Sequence, residues 1–188
     1  MQVFLQGPRV NLRPFVMADA PEMARLANDY DIWKTVSNRF PHPFTLEHAY
    51  ERIEAANAIV PLRTLAICLG EALAGWIILK PQEDISRVSS EIGYWIGKPY
   101  WGQGVAREAI ELMTQYGFTE LNHSRIYAIV MSCNPASRKA LLACGYQDEG
   151  YNRLATCKDG MLWDEWVLGR INPILEGKDT PQPWDYPE

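Results

Sequence analysis

The fold class predicted by the sequence is α/β: one mixed sheet, mostly antiparallel with a single parallel strand pair, flanked by helices on its faces. Three observations lead there. The hydrophobic patterning alternates between strand and helix periods in the order β-α-α-β-β-β-α-β-α-β-β. A helix connects the strands read at 88–96 and 125–132, so these two run parallel with a right-handed crossover. Short turns such as Gly70-Glu71 join other strands as hairpins.

Each element has a local reason. Residues 9–15, Arg-Val-Asn-Leu-Arg-Pro-Phe, alternate polar and apolar as a half-buried strand does. Asp19, with Glu22 three residues on, reads as a helix N-cap with its capping-box partner, ahead of an apolar stripe at Met23, Leu26, Ala27 and Tyr30. That helix is expected to run until it is interrupted near Asn38. The loop that follows, residues 39–44, carries two prolines and two phenylalanines. Thr45 caps a second helix to Asn57. Residues 64–69 and 72–80 are strands, and a polar loop from Pro81 to Arg87 leads into the next strand at Val88.

The stretch Glu91–Ala109 organises the rest. Its apolar, aromatic start is a buried strand that stops at Gly97-Lys98-Pro99, where proline removes a backbone donor. Gly102 and Gly104 flank Gln103, and then Val105, Ala109, Leu112, Met113 and Tyr116 mark one face of a helix to Thr119. A helix start has N–H groups without intrahelical partners and a partial positive charge, and glycines let a phosphate approach it. Arg107 could add a charge-assisted bond. The other reading of the two glycines is a tight turn with no ligand. Walker A is excluded for want of Gly-Lys-Ser/Thr, and a dinucleotide fingerprint is excluded because residue 107 is arginine.

After the strand at 125–132, Asn134-Pro135 opens a short helix that Gly145 closes. Strands near 146–154 and 160–168 follow as an antiparallel pair. The domain is expected to span 1–171, with a Pro-rich tail at 172–188. Trp184 and Tyr186 could dock that tail on the domain or on a second copy, as a homodimer element.

Composition narrows the function. The chain has 188 residues, enough for one domain with a sizeable core, and its 47% hydrophobic and 22% charged content is that of a soluble globular protein. No apolar run reaches membrane-helix length and no secretory pattern opens the chain, so a cytoplasmic protein without a membrane partner is expected. Cys68, Cys133, Cys144 and Cys157 are widely spaced, and His42, His48 and His123 form no metal-spaced cluster with them. No metal is expected. The net charge of −5 speaks against nucleic acid and for an amine-bearing partner.

Four segments together resemble the GNAT superfamily of N-acetyltransferases, and more closely its RimJ/RimL-like branch, the ribosomal-protein-alanine and -serine acetyltransferases. They are Arg9-Val-Asn-Leu-Arg-Pro14, the run Glu91–Ala106, Asn134-x-x-Ser137, and Gly145-Tyr146 eleven residues after that asparagine. The resemblance covers residues 8 to 168. It implies the GNAT-like acyl-CoA N-acyltransferase fold, in which the parallel pair is splayed, and acetyl-CoA as cofactor. The pyrophosphate would lie on the backbone of Trp101, Gly102, Gln103, Gly104, Val105, Ala106 and Arg107. The pantetheine arm would enter between the strands at 88–96 and 125–132, beside Trp95 and Asn134. The N–H near Ile96 would polarise the thioester carbonyl. Asn134 also has a plain N-capping reading. Trp101 replaces a polar residue common in the wider family, as is typical of this branch. Leu141 stands where the wider family often has an acidic tyrosine, so that acid is missing.

Transfer to an amine needs a neutral amine, a stabilised tetrahedral intermediate and a proton for the thiolate. Glu91, on the strand beside the acetyl site, is the candidate base, acting through a water, and the resemblance makes Ser137 the group that meets the departing sulfur. Their alternatives are a surface carboxylate paired with Arg87, and a first-turn serine bonded to its own helix. The loop at 39–44, Trp33, Tyr94 and Trp95 could line the acceptor groove, or be core. The expected function is acetyl transfer from acetyl-CoA to a primary amine, of a peptide N-terminus or a small molecule, in a ternary complex. A CoA-binding module without turnover, which Leu141 would suit, and transfer of another acyl group are the alternatives.

Overall fold

The computed structural model describes residues 4–178 and 183–184. Eight strands among them form one sheet: β1 (Leu5–Gln6), β2 (Val10–Arg13), β3 (Thr64–Leu69), β4 (Ala72–Pro81), β5 (Ser89–Ile96), β6 (Arg125–Met131), β7 (Gln147–Lys158) and β8 (Met161–Ile171). Their order is β1-β2-β3-β4-β5-β6-β8-β7, antiparallel throughout except for β5 beside β6. Helices α1 (Ala20–Ala27), α2 (Tyr30–Trp33) and α3 (Leu46–Asn57) pack on one face. Helices α4 (Val105–Thr119) and α5 (Pro135–Leu142) pack on the other. The predicted α/β class and parallel pair are therefore present.

Strand alternation divides the core between the two faces. Ile92 and Ile96 of β5 join Leu12, Leu65, Ile77, Leu79 and Ile126 under Ile110 and Met113 of α4. Trp95, on the opposite face, meets Phe40, Ile32 and the Met23–Leu26 stripe of α1. Each fully buried aliphatic side chain contributes on the order of 1.5–3 kcal/mol, so both helical layers are held mainly by burial.

Several boundaries differ from expectation, each for a local reason. Asp19 does not cap α1 with its side chain. Its carboxylate turns back to the buried Arg13, accepting two bonds of 2.7 Å, and also accepts from the Val16 N–H. Glu22 pairs with Arg25 instead. The first helix stops at Ala27, because Asn28 Oδ1 accepts from the Phe44 N–H and Asp29 caps the short α2 at Asp31 N. The β7–β8 hairpin extends to Asp159-Gly160, both with positive φ, a two-residue turn of the primed kind. The stretch expected as a tail begins against the domain: Asn172 is buried and donates to the carbonyls of Phe118 and His123. Trp184 donates from its indole to Asn122 C=O at 3.2 Å. Tyr186 lies outside the described residues.

Two measurements test this packing. Asp19→Ala would leave the Arg13 guanidinium buried and unpaired, so denaturant unfolding should show a loss of about 3–5 kcal/mol. His123, 2% exposed and hydrogen bonded to Ser90, has its pKa lowered to about 4 by burial, with Arg63 adding to the shift. The unfolded chain therefore binds the proton first as pH falls through 6.5. Stability should be complete above that pH and fall by roughly 3 kcal/mol on acidification to pH 4. In urea titrations of His123→Gln that part of the pH slope should disappear.

Candidate active site

The site begins where two strands part. β5 and β6 are in register only at Ser89–Arg125, Ser90–Ile126 and Glu91–Tyr127. Beyond Glu91, β5 stays paired with β4 through Ile96, and β6 stays paired with β8 through Met131. From Ile92 onward the facing edges of β5 and β6 therefore have no ladder between them. Backbone polar groups on such edges are ready partners for an amide-bearing chain.

A cavity of about 530 Å³ opens in this gap and continues to the start of α4. Trp101 lines it, the indole donating to Ile96 C=O at 2.6 Å. Gly104 is the residue before the helix, with φ of +79° and no side-chain cap for the first-turn amides. Helical bonding starts only with Glu108 N–H to Gly104 C=O at 3.2 Å. The first-turn amides and the dipole of α4 thus face the cavity start without a side-chain cap, and Arg107 and Lys139 bring positive charge to the cavity walls. A Cβ on Gly104 would stand 3.2 Å from the Arg9 guanidinium, which itself clamps Glu108 of α4.

Of the residues that the sequence assigned to the cofactor, Trp95, Ile96, Trp101, Gly102, Gly104, Val105, Ala106, Arg107, Asn134 and Ser137 all line this cavity. Gln103 does not; its amide folds back to Pro99 C=O at 2.8 Å. Asn134 caps α5, Oδ1 accepting from Ser137 N–H at 3.1 Å. The Ser137 hydroxyl lies 2.8 Å from the Tyr94 hydroxyl across the gap. Burial pushes the Tyr94 phenol up to about 12, so it stays protonated at neutral pH.

Glu91 stands apart from the cavity lining, at the last position where β5 pairs with β6. Its carboxylate accepts from Lys80 at 2.9 Å rather than from Arg87. Sequence reasoning missed Asp31 of α2, which lines the cavity and accepts from Lys34 and Lys98, each at 2.6 Å. Those two ammonium groups hold the Asp31 carboxyl down to about 2, which leaves it a poor base. Tyr94, read as an acceptor-groove or core aromatic, lines the cavity with its hydroxyl against Ser137. Trp33 stacks on His42 at 5.3 Å, and the Trp95 indole N–H is buried with no hydrogen-bond partner among the described residues. Among those residues no group of three His, Cys, Asp or Glu could hold a metal, and no helix is long and apolar enough to cross a membrane.

A split parallel pair that leads to uncapped helix-start amides is the arrangement that the resemblance to acyl-CoA N-acyltransferases implies. Residues 9–147 match the family model described as the acetyltransferase (GNAT) domain, and the chain belongs to that family. It is an acetyl-CoA-dependent acyltransferase. The uncharacterized N-acetyltransferase p20 of Bacillus licheniformis is 29% identical over 184 residues, 92% of this chain and 98% of p20. RimJ of Mycobacterium smegmatis, solved in complex with CoA-disulfide, shares the fold with a TM-score of 0.78 at 23% identity, covering 89% of this chain and 84% of RimJ. The ribosomal-protein-S5-alanine acetyltransferase of Vibrio fischeri gives 0.77 at 21% identity, covering 92% and 98%.

Gly104→Val tests the cradle. A β-branched residue at positive φ is strained, and its side chain would crowd the approach to the amides. Steady-state kinetics should show the KM for acetyl-CoA raised roughly ten-fold or more.

Proposed function

We propose that the protein transfers the acetyl group of acetyl-CoA to a primary amine by direct attack within a ternary complex. The observation that carries this is the gap between β5 and β6, which runs from the amide cradle to Glu91 with Tyr94 and Ser137 on its walls. The amides of Gly102–Arg107 would hold the diphosphate, and the free edge of β5 with Asn134 would hold the amide-bearing arm. The N–H near Ile96 would meet the thioester oxygen.

Two protons must then move. The amine must lose one and the departing sulfur must gain one. Glu91, at the closed end of the gap, would take the first through a water. With Tyr94 as donor to Ser137 Oγ, the serine hydrogen would be free to meet the sulfur. An α-amine, with a pKa of ~7.7–8.0, is partly neutral at pH 7, whereas a lysine at ~10.4 is not, so a weak base serves an N-terminus better. That chemistry, with the S5-alanine acetyltransferase among the structural relatives, supports an α-amine acceptor.

The test is thiol release from acetyl-CoA over a panel of peptides and small amines. Ser137→Ala and Tyr94→Phe should each lower kcat roughly ten-fold or more with little change in the KM for acetyl-CoA, and Glu91→Gln should lower kcat as well. CoA binding without thiol release over any amine would overturn the reading. Release unaffected by all three substitutions would remove the assigned roles.

A further inference from the structure

A second cavity, of about 320 Å³, lies beside the first. Its walls include Tyr30 of α2 and Lys34 just after it, Cys133 after β6, and Lys158, Asp159 and Trp163 of the β7–β8 hairpin. The two cavities share their partition, because Asp31 and Ile32 of α2 and Asn134 beside Cys133 face the first. The Asp159-Gly160 turn fixes Lys158 opposite Met161 and sets the hairpin tip against α2.

Lys158 is 3% exposed, and its Nζ has no hydrogen-bond partner among the described residues. It stands 3.8 Å from the centre of the Trp33 ring, whose face attracts a cation but accepts none of its three N–H bonds in the ordinary way. The neighbouring charges are committed elsewhere. Asp159 accepts from the Tyr30 hydroxyl at 2.6 Å, and Lys34 donates to Asp31. Burial lowers the pKa of Lys158, and Asp159 partly opposes that shift. A buried ammonium with unused donors is costly unless something supplies acceptor oxygens.

We propose that this cavity is the acceptor-side subsite for a carboxylate of the amine substrate, received by Lys158 with Lys34 adding positive charge. The substrate class is then an amino acid or peptide whose carboxylate lies near the reacting amine. A single negative charge fits better than a phosphate, since Asp159 already stands in the cavity beside two lysines. The inference rests on the amine-acetylation reading above and narrows it.

Calorimetry on the CoA-saturated protein tests it, with matched probes differing only in charge. The probes are glycine, β-alanine, 4-aminobutyrate and 6-aminohexanoate against their carboxamides, and C-terminally amidated Ala-Asp against Ala-Asn. O-Phosphoethanolamine is the phosphate arm. At least one carboxylate should bind roughly ten-fold or more tightly than its carboxamide. Lys158→Met should erase that preference while acetyl-CoA affinity and melting temperature are kept, and Lys158→Arg should retain it. Equal binding of every pair, or a parallel loss for both members in Lys158→Met, would overturn the subsite. So would a preference for the phosphate arm. Carboxylate selectivity lost in Lys158→Met, yet no thiol release from acetyl-CoA with any probe, would leave the subsite standing and sink the transfer reading. Thiol release indifferent to acceptor charge would do the reverse.

Discussion

The structure depends on a ladder that stops early. β5 and β6 share three register positions and then separate, although each keeps its other neighbour for the rest of its length. Unmade strand hydrogen bonds are costly if they stay dry, so this edge is tolerable only where solvent or a ligand can reach it. The compensation is visible around it. Trp101 takes the Ile96 carbonyl, and the Tyr94–Ser137 contact bridges the opening on the α4–α5 side. The burial of Ile92, Ile96, Ile126 and Val130 holds both strands in one sheet despite the gap.

Charge is distributed to match. The chain is net negative, yet the α4 end of the cleft is lined by helix-start amides, Arg107 and Lys139, and its far wall by an aspartate neutralised by two lysines. A diphosphate needs positive surroundings and a thioester ones close to neutral, and the two ends of one cavity differ in that sense. The buried pair Arg13–Asp19 plays a different part. It ties β2 to the turn that launches α1, and so positions the helical layer that carries α2 to the cleft.

Much of this was legible from local signals. The strand, glycine turn and helix of 91–119 could be read because each step has its own residue chemistry, and the caps at Asn134 and Gly145 likewise. What escaped depends on partners far along the chain. The contact between Tyr94 and Ser137 spans 43 positions and leaves no periodic trace. Asp19 looked like a cap because a cap is the local use of aspartate before a helix; Arg13, six residues earlier, competed for the carboxylate and won. The Asp159-Gly160 hairpin turn was present in the sequence and went unread, and with it the burial of Lys158, a residue type normally found outside.

The central claim is that the diphosphate of the thioester substrate rests on the backbone from Gly102 to Arg107 while its arm fills the gap beyond Glu91. A crystal structure with CoA bound addresses it directly. The account requires phosphate oxygens within hydrogen-bond reach of those amides and the arm bonded to the free edge of β5. CoA held at another surface, with β5 and β6 zipped together past Glu91, would contradict it.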